Sequence, residues 1–111
     1  MAKSDRTLVG AAALAEIMTG TPKDRFDFAL ATTSIFLDGM CYKYEHQVIN
    51  EDDARAFTKL ALRRALAMID GDTEEARKIH DEGVALQEQV QPRVNDAVNA
   101  RQLKATNTLH S

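Results

Sequence analysis

Few side chains in this sequence could carry chemistry, and their spacing decides most cases. The chain has one cysteine, Cys41, and three histidines, His46, His80 and His110. A di-metal carboxylate centre in a helical bundle takes a Glu-x-x-His on each of two helices, plus inward glutamates. No glutamate stands three residues before any of these histidines. His80, Asp81 and Glu82 are consecutive, so on a helix they point about 100° apart and cannot close on one ion. Neither a metal nor another cofactor is expected. Cys41 and His46 would make a nucleophile–base pair only if they shared a face, and five helical positions set them about 140° apart. Cys41 borders an apolar seam and is expected to be a small buried thiol. Glycine-rich phosphate loops, nucleotide fingerprints and zinc-ribbon spacings are absent. These tests nominate no catalytic residue.

Arg64 resists so plain a reading. It falls between Leu60 and Met68 and beside Phe57, on the apolar side of the central helix. A long stem lying on the core with its head at the rim is one arrangement. A guanidinium held by a carboxylate, within the bundle or across a dimer, is the other. A second pattern points the same way. Phe28, Ile35 and Tyr42 recur every seven residues, nearly opposite the seam that the same helix should bury. Such a stripe fits a subunit interface, so Phe28, Ile35, Tyr42 and Arg64 are the interface residues expected here.

The element that must position them is the stretch from Glu51 to Ile69. Only Arg55, Lys59, Arg63 and Asp70 leave it a strip for water. Ala54, Phe57, Leu60, Ala61, Ala65 and Met68 fill the opposite side. Leu62, Leu66 and Ile69 extend the apolar surface round one flank, Ala56 and Ala67 round the other. A helix this apolar is expected to be wrapped on several sides. Asn50 can cap it, and Gly71 suits its left-handed end. Asp72-Thr73-Glu74-Glu75 starts the next helix at once, which makes the pair a hairpin.

Thr21-Pro22-Lys23-Asp24 opens the preceding helix, which is predicted to reach Tyr44 or His46. Its expected seam against the central helix is Phe26, Leu30, Thr33, Leu37, Met40 and Tyr44. Ahead of it, Ser4 can cap a small-residue helix over Asp5 to Thr19, stopped by Gly20. Leu8–Ala15 is too weakly apolar for the core of a signal peptide. The last helix shows Ala76, Ile79, Gly83, Leu86 and Val90 on one face. Pro92 removes a donor and clashes at the Glu88 carbonyl, so that helix is expected to kink there and reach about Leu103.

Length and composition bound the rest. A chain of 111 residues is one domain on ordinary size grounds, 1–104 with a frayed tail over 105–111. Alanine and leucine dominate the apolar set, and no segment reads as a strand. The fold class is therefore all-α, a four-helix bundle. A net charge of −3 argues against nucleic acid as a partner. The helix after Gly71 also opens with Glu74 and Glu75, which would face phosphates in a helix-turn-helix. No apolar run approaches a membrane span, and a lone cysteine suits a reducing, cytoplasmic setting. Three classes of function remain. The first is a non-enzymatic protein-interaction or assembly module, expected as a homodimer. The second is a regulator or inhibitor that docks as a monomer on a larger protein. The third is an enzyme whose site gathers several of Tyr42, Tyr44, His46, Arg64 and His80.

Overall fold

The computed structural model describes the backbone of residues 12–110 and the side chains of residues 12–103. Every regular element among them is helical. We number them α1 (described over residues 12–18), α2 (Pro22–Glu45), α3 (Glu51–Asp70) and α4 (Thr73–His110). The Ser4 cap expected for α1 lies outside the described residues.

Each boundary follows from local chemistry. The Thr21 hydroxyl accepts from the Asp24 amide at 3.1 Å, and Pro22 takes a position whose missing donor costs nothing. Asn50 Oδ1 accepts from the Asp53 amide at 2.8 Å, with Glu51 and Asp52 favourably placed in the first turn. Gly71 closes α3 at φ 73°, a left-handed geometry a side chain would strain. Asp72 then caps α4 through Oδ1, which accepts from the Glu75 amide at 3.1 Å. α4 runs on through Pro92 to His110 as one helix.

α3 is the shared element. It packs along both α2 and α4, whereas α2 and α4 barely meet. Burial falls in two clusters. At one end Met18 of α1 joins Ala29, Ala67, Met68, Ala76 and Ile79. At the other, Met40, Ile49, Phe57 and Val90 pack together, with Phe36 set against Phe57 at 6.5 Å between ring centroids. Phe57 is thus at the centre of the second cluster, and the α4 face through Ala76, Ile79 and Val90 is buried as its spacing predicts.

Three expectations need correction. The α2 seam is turned part-way round the helix: Thr33 and Met40 face α3 as expected, but Arg25, Ala29 and Phe36 join them, while Phe26, Leu30 and Tyr44 are exposed. Two local features set that rotation. Ala29 is small enough for close approach, and Arg25 reaches over the end of α3 to donate from Nε to the Met68 carbonyl at 3.0 Å. Its Nη1 also donates to the Gly20 carbonyl at 2.9 Å, so a cation sits at the negative end of the α3 dipole.

The second correction concerns one flank of α3, a helix that is covered on more than one side, by α2 and α4, as expected, but not all the way round. Leu62, Leu66 and Ile69 are exposed, because α2, α4 and α1 all lie toward its other faces. The third is Cys41, whose thiol is exposed. On the rotated seam it falls on the outer side of α2.

Candidate functional site: a groove between α3 and α4

Because α2 and α4 diverge, α3 forms the floor of an open groove. Away from the groove, Arg63 ties α3 to α4, donating to Glu75 and to Glu82, both at 3.1 Å. Those two carboxylates raise the Arg63 pKa above its ordinary value, Glu75 most through its hydrogen bond. They fix which residues of the two helices stand opposite each other.

The cavity measures about 610 Å³. Phe36, Phe57, Leu60, Ala61, Ile79 and Val84 give it apolar walls, and Gly83 leaves room where a side chain would stand. A Cβ built at Gly83 meets nothing within 4 Å. Two polar groups from different helices enter the same space, Arg64 from α3 and His80 from α4. Arg64 is half-buried and makes no hydrogen bond or ion pair among the described residues. Burial away from water pulls its pKa below the ordinary value, though a guanidinium stays charged across the physiological range. His80 Nε2 is buried without a hydrogen-bond partner. Gln87, Glu88 and Gln91 form the lip, all three exposed, with Gln87 donating to Gln91.

A second hollow of about 540 Å³ lies at the other end, between the α2–α3 connection and α4. Its main polar feature is an ion pair. Arg93 donates from Nε and Nη2 to the two oxygens of Asp53, at 2.9 and 2.8 Å. The Asp53 carboxyl is held below its ordinary pKa, first by the hydrogen bond from Arg93, with burial opposing. The pair ties the first turn of α3 to the residue after Pro92. Close by, Arg101 of α4 donates to the His46 carbonyl at 2.9 Å, and the Tyr42 and His46 rings lie 4.2 Å apart.

The residues singled out by sequence separate into two places. Arg64 lies in the groove, with no intrachain carboxylate among the described residues. Phe28, Ile35 and Tyr42 are 40, 73 and 62% exposed, along the side of α2 from which the groove opens. Of the five polar residues that an enzyme was expected to gather, only Arg64 and His80 line the same cavity. Tyr44 lines the second hollow and Tyr42 stacks near His46 outside it. Among the described residues, no three His, Cys, Asp or Glu side chains are grouped so as to hold a metal ion. No helix among them is long and apolar enough to cross a membrane.

Sequence reasoning missed three features. The Asp53–Arg93 pair spans 40 positions, and no local pattern announces such a contact. Gly83 was read only as part of the buried α4 face, not as the opening of a cavity. The third is a further exposed apolar face. The contacts of Arg25 with Met68 and of Phe36 with Phe57 set the α2–α3 register. In two antiparallel right-handed helices that register puts Phe26 and Leu30 level with Leu62, Leu66 and Ile69, on the side away from the groove. All five are exposed. Their spacing was visible, but it was assigned to the core.

Comparison with protein-family models, with curated proteins and with solved structures finds no match for this chain.

Proposed function

We propose that the chain is a small helical interaction and assembly module that works through apolar helix surfaces and self-associates through α2. The observation that carries this reading is that both long sides of α2 stay exposed once the chain has folded. Phe28, Ile35 and Tyr42 lie on one side, and Phe26 and Leu30 on the other. Monomeric soluble proteins seldom leave contiguous apolar surface of this kind uncovered, and symmetric pairing is the commonest way of covering it. Phe28, Ile35 and Tyr42 form the contact in this reading, with Arg64 beside it as a charge that a facing carboxylate can meet. The exposed, single Cys41 is compatible with a reducing, cytoplasmic setting for such a module.

The face made by Phe26, Leu30, Leu62, Leu66 and Ile69 favours a second form of the same idea. A chain with one face covered by a copy of itself still presents another to a larger protein. Sedimentation analysis over a wide concentration range tests the first form. The parent should be dimeric and Ile35→Glu monomeric with unchanged helix content. Leu66→Glu should leave the dimer intact. A parent that stays monomeric at every concentration rules out self-association through α2.

A further inference from the structure

The groove poses a question that the α2 surfaces do not answer. Two polar groups line one largely apolar cavity: a half-buried guanidinium with no protein partner among the described residues, and a buried imidazole nitrogen with no hydrogen-bond partner. Buried polar groups are rarely left so, because each forfeits the hydrogen bonds it had in water. Glu88, the carboxylate that lines the cavity, does not resolve it: it stands exposed on the lip without an ion pair to Arg64 among the described residues.

We propose that this groove is a binding site for a small amphipathic carboxylate, its head on Arg64 and His80 and its apolar body along Phe36, Phe57, Leu60 and Val84. The complementarity is specific on each count. A guanidinium presents a flat fork of donors that matches the two oxygens of a carboxylate. His80 Nε2 offers one more hydrogen-bonding site to the same head. The walls are apolar, and about 610 Å³ falls within the range of about 300–1,000 Å³ common for small-molecule pockets. Low surrounding polarity strengthens the contact between the head and Arg64, since the charge is already partly removed from water. Arg64 serves both readings, but Phe28, Ile35 and Tyr42 do not line the cavity, so Ile35→Glu tests assembly and leaves the probe test in place.

The test uses the full chain and three ten-carbon probes that differ only in the head: decanoate, decanol and decylammonium. Calorimetry should give saturable binding of one decanoate per chain, with decanol at least tenfold weaker and decylammonium not bound. Arg64→Met keeps a long apolar stem and removes the charge, and it should weaken decanoate at least tenfold while leaving decanol unchanged. Gly83→Leu fills the cavity from α4 and should abolish binding of both, with helix content unchanged by circular dichroism. That variant serves if Arg64→Met fails to fold. Equal affinity for decanoate and decanol, full affinity in Gly83→Leu, or no saturable binding of any probe overturns the proposal. So does a shift of the Gly83 and His80 amide resonances on dilution without probe, because a second copy of the chain would then be the occupant.

Discussion

Replacing Phe57 with alanine tests the packing on which the groove and both hairpins depend. The ring lies in the cluster with Met40, Ile49 and Val90, stands against Phe36, and is 9% exposed. A buried phenylalanine removes on the order of 200 Å² from water, which at about 25 cal/mol per Å² corresponds to roughly 5 kcal/mol. Alanine retains part of that burial, whereas the cavity left behind adds to the loss. The measured range for such truncations is about 3–5 kcal/mol. The structure selects the lower end, because one edge of the ring already lines the open groove and water can enter the vacated space. A loss of about 3 kcal/mol is a large share of the roughly 5–15 kcal/mol that holds a domain together. It should lower the melting temperature by on the order of 12–24 °C. Urea titration followed by circular dichroism measures it directly. A variant within about 0.5 kcal/mol of the parent would mean that Phe57 is not a centre of burial, and the floor of the groove would have to be redrawn.

Three further outcomes are expected. Asp53 has a folded pKa below its ordinary value, so its pair with Arg93 contributes stability at neutral pH that is lost as pH falls through that lower value. Urea titrations should therefore show the parent's advantage over Asp53→Asn constant above about pH 5 and shrinking below about pH 4; an advantage that grows in acid contradicts the pairing. Gly83→Ala adds a Cβ where no atom lies within 4 Å, and it should raise stability by up to about 1 kcal/mol in the same assay. Gly71→Ala should do the opposite, by roughly 1–2 kcal/mol, because φ is 73° and the new Cβ would lie 3.0 Å from Arg25 Nη2.

What the sequence made legible was whatever local chemistry decides. The Thr21, Asn50 and Gly71 boundaries, the hairpin between α3 and α4, and the α4 stripe of Ala76, Ile79 and Val90 all follow from capping preferences and the helical period. The errors lie where two apolar stripes compete. On α2, residues 26, 30 and 37 and residues 25, 29 and 36 are both spaced to join Thr33 and Met40 in a seam, and side-chain size favoured the first set. Packing chose the second, through the small Ala29 and the reach of Arg25. The same competition on α3 gave Leu62, Leu66 and Ile69 to the core, although a helix flanked by two long neighbours keeps a free back. Arg64 was recognised as unusual, and His80 was named with it only as one of five scattered polar residues. Whether residues on two helices share a cavity depends on the register between them, which Arg63 fixes over a distance in sequence.

The placement of α3 between α2 and α4 bears on how the chain reaches its folded state. Among α2, α3 and α4, nearly every close backbone approach joins helices that follow one another along the chain, and the backbones of α2 and α4 hardly approach each other. Search over long loops is therefore minimal, and folding belongs in the microsecond-to-millisecond range typical of helical proteins with local topology. Each hairpin can also nucleate without the other, so a nascent chain can order α2 on α3 before α4 has been made.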